Sequence, residues 1–287
     1  MIAELAARGT ALLGEAPRWM TLAGVGPALH FTDLLAGVVY TLDGDTAGST
    51  LEFPDETVSA LIPLESGSAA VALHRDIAIV DSRGTVQSRR ELDLPAGTRL
   101  SDATAGPSGH VWLGVVPAGD EPTPGMLLRV GDDGTRALRA DVGFSNGLGF
   151  TADGTALFHI DSASGTVWRT PHDPSRGELG ESVELFRWPA EHGALDGLCV
   201  DEHDRVWIAV FGGGEVICVD HHGEIAARVM VPARRVTSCV FSGSTLFVTT
   251  ARVDATAEEL AEFPLSGSLF RARMDVSGGA VWKGHLA

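Results

Sequence analysis

Residues 205–220 read RVWIAVFGGGEVICVD: two apolar, β-branched runs on either side of a glycine triplet. A short apolar run, a turn signal and a second apolar run predict two antiparallel strands joined tightly. The pattern recurs five more times, as ALHFTDLLAGVVYTLD (28–43), AAVALHRDIAIVDSRG (69–84), HVWLGVVPAGDEPTPGMLLRV (110–130), ALFHIDSASGTVWRT (156–170) and TLFVTTARVDATAEELAEFPLSGSLFRARM (245–274). Aligned on Phe31, Val71, Trp112, Phe158, Trp207 and Phe247, the units are spaced by 40, 41, 46, 49 and 40 residues. A period in the forties, with room for about four strands per unit, is that of a β-propeller blade. Six units fill residues 1–287, so the expectation is an all-β, six-bladed propeller forming one domain. The plainer alternative is a β-sandwich whose spacing is accidental. Helical periodicity is confined to DATAEELAEF (254–263). A propeller must close its ring. The run IAELAARG (2–9) is expected to complete the blade built from residues 245–287, with GGAVWKGHLA (278–287) as a further strand of that blade.

The charge narrows the partners. The chain has 21 Lys and Arg against 38 Asp and Glu, a formal net charge of −17. Nucleic acid needs a basic face, and an anionic membrane would repel such a chain. A small molecule or a cation is the natural ligand. No apolar run approaches the length of a membrane span. Three cysteines, Cys199, Cys218 and Cys239, cannot all pair and form no C-x-x-C, which suits free thiols in a reducing, cytoplasmic setting. The first residues lack the basic start of a secretory leader.

In a propeller the innermost strands surround one axis, so equivalent positions from distant blades meet. Ten to sixteen residues before the six anchors stand Glu15, Ser59, Asp102, Asn146, Asp196 and Thr237. All are polar and three are carboxylates. Glu15, Asn146 and Asp196 sit beside small or turn-forming residues, in LGEAP, FSNGLGF and ALDGLCV. Taken singly, each reads as a turn former bonded to nearby backbone. Taken together, two carboxylates and an amide carbonyl offer only oxygen donors, and adjacent like charges call for a counter-ion. The expected ligand is one divalent cation, Ca²⁺ first, with Mg²⁺, Mn²⁺ or Zn²⁺ as alternatives, and water in the remaining positions. Among the histidines, His30 and His159 fall inside strand runs and read as buried, satisfied rings. His221 and His222 read as an exposed turn. His74 and His192 could reach the channel mouth, His192 as a substrate contact.

At these residues the sequence resembles the family of regucalcin (senescence marker protein), gluconolactonases and luciferin-regenerating enzymes. The resemblance rests on LGEAPRW (13–19), RLSDATAGPSGHVWLG (99–114), FSNGLGFTADGTALFHIDSASGTVW (144–168), LDGLCVDEHDRVWIAVFGGGEVICVD (195–220) and RVTSCVFSGSTLFVTTAR (235–252), in that order. It implies a divalent-metal-dependent hydrolase that opens a small, sugar-derived lactone. Glu15, Asn146 and Asp196 would be the metal ligands and Asp196 also the general base, with Arg99, Ser101 and Glu121 contacting substrate. Ser101 stands where the family often has Asn, and Gly114-Val115-Val116 where it has Gly-Thr-Met. Both departures touch the substrate pocket. They leave open a hydrolase of other esters or phosphotriesters, or a secondary-metabolism enzyme that reuses the site. A reading of another class is a non-catalytic calcium-binding propeller.

Overall fold

The computed structural model describes residues 1–119 and 123–286. Six antiparallel sheets follow one another along the chain, five of four strands and one of five. Each sheet is a blade. The innermost strands are Gly14–Leu22, Ala60–Pro63, Thr98–Ala105, Ser145–Phe150, Ala194–Val200 and Val236–Ser242. All six aligned anchors lie on the second strand of a blade, within Val25–Asp33, Ala69–Ala72, Val111–Pro117, Ala156–Asp161, Val206–Phe211 and Thr245–Thr250. These second strands are nearly continuous apolar runs because both faces are covered by neighbouring blades. Trp112 and Trp207 are completely enclosed between blades. Among the described residues the one α-helix, Ala257–Glu262, is capped by the Thr256 side chain, which accepts from the Glu259 amide.

The ring closes as the sequence indicates at its start. Glu4–Ala7 pairs with Leu269–Arg273, through Glu4 with Arg271 and Leu5 with Phe270, so the first strand of the chain completes the last blade. This occupies the fourth position of that sheet and corrects the expectation for the C-terminus. GGAVWKGHLA is not a strand of the sixth blade. It crosses the end of the channel: Gly279 donates to Val200 O at 2.9 Å, Gly284 to Pro63 O at 2.8 Å and His285 to Gly109 O at 2.6 Å, joining blade 5 to blades 2 and 3. Trp282 packs against the core beneath blades 3 and 4. Among the described residues no helix is long and apolar enough to cross a membrane.

The buried histidines follow the reading only in part. His30 is satisfied on both nitrogens, by Met20 O at 3.1 Å and the Thr41 hydroxyl at 2.7 Å. His159 pairs through Nε2 with the Ser145 hydroxyl at 2.8 Å, but its Nδ1 has no protein partner. Burial, helped by Arg139, pushes the His159 imidazole down to about 3. It therefore stays neutral when folded, whereas the unfolded chain takes up a proton below about 6.5. Its contribution to stability is complete above that pH and is lost as the pH falls toward 3, by at most about 1.4 kcal/mol per pH unit. A His159→Gln variant, which retains a partner for Ser145, should show a shallower fall in urea midpoint between pH 7 and 4 than the wild type. Parallel curves would show that His159 does not carry this dependence.

Candidate metal centre and substrate cavity

A β-bulge re-aims side chains by breaking the regular ladder. Five of the six innermost strands shift register at the position that faces the axis: between Glu15 and Arg18, Leu100 and Ala103, Ser145 and Leu148, Leu195 and Leu198, and Val236 and Ser238. Glu15, Asp102, Asn146, Asp196 and Thr237 all lie at or within these breaks. Two ligand candidates are followed by a glycine for a steric reason. A Cβ at Gly147 would stand 2.7 Å from Asp196 O, and one at Gly197 would collide with the Ser238 side chain. After Glu15 the chain instead has Ala16 at φ 44°, an uncommon conformation for a residue with a side chain.

The breaks open onto a cavity of about 510 Å³ at one end of the channel. Glu15, Asp102, Asn146, Asp196, Arg99, Ser101 and Ser59 line it. The structure thus brings together the two carboxylates and the amide expected to hold a metal, and two of the three residues expected to contact substrate. Glu121 lies outside the described residues. His192 does not reach this cavity: its ring meets Trp188 at 5.8 Å and borders a separate peripheral groove. His74 is exposed and is not among the cavity-lining residues.

The electrostatics of the floor are those of an acid cluster without its counter-ion. Asp196 is buried, and its carboxyl is pushed up to about 8: burial dominates, the Asn146 hydrogen bond opposes, Asp102 adds and Arg99 opposes. Burial likewise lifts Glu15 well above the usual carboxylate range, with Asp196 and then Asp102 adding. Asp102 is raised by burial against the pull of Arg18, 3.8 Å away. Arg99 is the one cation lining the cavity among the described residues, and burial lowers its affinity for a proton while Glu15 and Asp196 raise it. Asn146 Nδ2 donates to Asp196 Oδ1 at 2.6 Å. Turning that amide over would present its oxygen instead. Among the described residues no three His, Cys, Asp or Glu side chains form a ready-made metal cluster. The donor set of two carboxylates, one amide and the third carboxylate of Asp102 nevertheless fits a hard divalent cation: oxygen only, negatively charged, and repelled by itself until a positive charge arrives.

Asp102 entered the ring of polar positions from the sequence, but its place in the acid cluster was not assigned there. The signal was its equivalence to Glu15 and Asp196. The pentapeptide GFSNG (143–147) has the G-x-S-x-G spacing of a serine nucleophile. Ser145 is fully buried, however, it opens a strand instead of a strand-to-helix turn, and the far nitrogen of its His159 partner meets no acid. The geometry is structural.

Residues 13–252 match the model of the SMP-30/gluconolactonase/LRE-like region. The chain belongs to this family. A 6-deoxy-6-sulfogluconolactonase of Pseudomonas putida is 33% identical to it over 282 residues, 95% of either chain. A pentonolactonase of Haloferax volcanii is 28% identical over 275 residues, covering 93% of this chain and 92% of the relative. The crystal structure of a regucalcin from Agrobacterium tumefaciens, described as a calcium-binding protein, superposes with a TM-score of 0.87 at 25% identity and covers 98% of this chain and 97% of the other.

The shift on Asp196 makes a stability prediction. A carboxyl raised in the folded state contributes stability below its unfolded value, near 3.9, that is lost as the pH climbs toward 8. Asp196→Asn removes that loss. In EDTA at pH 8 the variant should melt above the wild type, and the gap should close toward pH 5. Saturating Ca²⁺ should reverse the order by stabilising only the wild type. An EDTA melting temperature at or below that of the wild type would show that Asp196 is not the source of the strain.

Proposed function

We propose that this chain is a lactonase whose activity depends on one divalent cation held by Glu15, Asn146 and Asp196. The observation that carries the proposal is the meeting of these three side chains with Arg99 on the floor of one open cavity, each ligand on a different bulged strand. The names of the relatives support it: two act on sugar lactones, and a third is a calcium-binding protein. A cation bound there would supply Lewis acidity toward the lactone carbonyl.

The chain's own groups account for the rest. Arg99 spends one guanidinium nitrogen on Leu100 O at 2.9 Å and keeps further N–H donors for the substrate carbonyl or ring oxygen. Asp196 accepts the proton of the attacking water. Burial raises its basicity and a bound cation lowers it, so the two effects offset each other near neutral pH. Water adds to the carbonyl carbon, the ring C–O bond breaks, and the proton held by Asp196 passes to the departing ring oxygen. The product is a hydroxy acid with its own carboxylate. Asp102 and the acidic surface favour its departure.

Removing cations with EDTA should abolish hydrolysis across a lactone panel, and adding back Ca²⁺, Mg²⁺, Mn²⁺ or Zn²⁺ should restore it. Asp196→Ala should lower kcat by at least about 100-fold, the scale of a lost general base. Full activity in EDTA, or near-normal activity in Asp196→Ala, overturns the proposal. A melting temperature that falls in EDTA without turnover of any lactone would instead identify a calcium-binding propeller without catalysis.

A further inference from the structure

Above its acidic floor the cavity has a wall of different chemistry. Leu13, Leu34, Leu35, Phe144, Phe211 and Val253 line it, carried by blades 1, 4, 5 and 6 or by the loops beside them. Two clamps of the same kind hold part of this wall. Asp33 accepts from the amides of Leu12 at 2.8 Å and Leu13 at 3.1 Å, and Asp161 accepts from Phe144 N at 2.9 Å and Ala163 N at 3.2 Å. The two aspartates are equivalent, each ending the second strand of its blade. The apolar surface continues to the rim, where Leu35 is 44% exposed and Leu12 is 49% exposed. Leu12 O accepts from Val253 N at 2.8 Å, so the two sit side by side.

The hydroxyls in the cavity point the same way. A polyhydroxylated lactone is held by alternating donors and acceptors. Each of the three serines lining the cavity has already spent its proton on a backbone carbonyl: Ser101 on Ser145 O at 2.5 Å, Ser59 on Ala72 O at 3.1 Å and Ser162 on Leu195 O at 2.6 Å. They can accept from a ligand but cannot donate to it without giving up a buried bond. A sulfonated or phosphorylated ring would also find, among the described residues, no cation on the wall, since Arg99 is the one cation lining the cavity and stands on its floor.

We propose that the substrate is a lactone bearing an alkyl or aryl substituent, with its ring over the acidic floor and its hydrocarbon against the wall of blades 4, 5, 6 and 1. This rests on the lactonase reading and refines its substrate class. Hydrocarbon removed from water by such a wall favours binding in proportion to the area covered, while a sugar ring in its place would leave hydroxyls facing leucine and phenylalanine.

The test compares glucono-δ-lactone with a δ-lactone carrying a pentyl chain on its ring carbon, using the cation-loaded enzyme. The pentyl lactone should have at least a tenfold higher kcat/KM. Leu35→Asn and Val253→Asn, both at partly exposed positions that tolerate a polar side chain, should each lower the ratio of the two kcat/KM values at least threefold. Preference for glucono-δ-lactone, or a ratio unmoved by both substitutions, overturns this inference while leaving the lactonase standing. If neither lactone is hydrolysed with any cation, the lactonase reading fails. Calorimetry then decides the inference separately. Binding of the pentyl-substituted δ-lactam at least tenfold tighter than that of the glucono-δ-lactam sustains an apolar-substituent site, and equal or weaker binding overturns it.

Discussion

Six strands crowd around one axis, and there is not enough room for all their side chains to point inward at regular spacing. The structure meets this constraint by breaking the ladder of five innermost strands at the same height. Four of the breaks turn a polar side chain into the cavity, and the fifth places Thr237, whose buried hydroxyl donates to Gly14 O. Where the neighbouring strand presents backbone, as at Gly147, or a side chain at close quarters, as at Gly197, a residue with a Cβ does not fit. The residues that make the site and the residues that let the strands approach are therefore the same dipeptides, Asn146-Gly147 and Asp196-Gly197. Changing either member alters both packing and chemistry.

The convergence has an electrostatic consequence. Glu15, Asp102 and Asp196 share a pocket floor, and each is held above its ordinary protonation range mainly by burial. Two arginines moderate the strain in different ways. Arg18 reaches from blade 1 to blade 3, where Nη2 donates to Ala103 O at 2.7 Å beside Asp102, and it serves the lower channel. Arg99 faces the upper cavity and keeps donors free. One spare guanidinium against three acids leaves the floor short of positive charge. For the proposed cation this matters: energy lost in burying the acids would reappear as affinity for an ion bound among them.

Much of this was legible in the sequence because a propeller converts period into position. The recurrence of Phe31, Val71, Trp112, Phe158, Trp207 and Phe247 every 40–49 residues placed them all on second strands, and counting back from them reached cavity-lining residues in five of the six blades. The closing strand was legible too, as a run left over once the six repeats were assigned, in a ring that has to close. The C-terminal decapeptide was misread because its composition resembles that of a strand while the sheet it would join was already complete. His192 was misread because a residue four positions before Asp196 sits on the turn outside the strand, where Trp188 holds it. The apolar wall was invisible for a different reason. Leu35, Phe211 and Val253 are unremarkable hydrophobic residues, two in turns and one ending a strand, and only the closed ring brings them to one mouth. The direction of a serine proton, which decides whether Ser101 can serve a sugar, is a property of the fold and of no local pattern.

The floor and the wall answer to different constraints. The floor belongs to the axis: its residues are tied to the bulges, and a substitution there disturbs strand packing as well as charge. The wall belongs to segments at the cavity mouth, held at Asp33 by the backbone amides of Leu12 and Leu13 and at Asp161 by those of Phe144 and Ala163 together with the Ser164 hydroxyl. Such anchors hold the course of a loop without specifying the side chains it carries. Leu35 or Val253 can therefore be exchanged at little cost to the ring, whereas Gly147 and Gly197 cannot. The two departures from the family pattern fall differently: Ser101 lines the cavity at the break of its innermost strand, whereas Val115 and Val116 are fully buried in the second strand of blade 3 and are not among the cavity-lining residues.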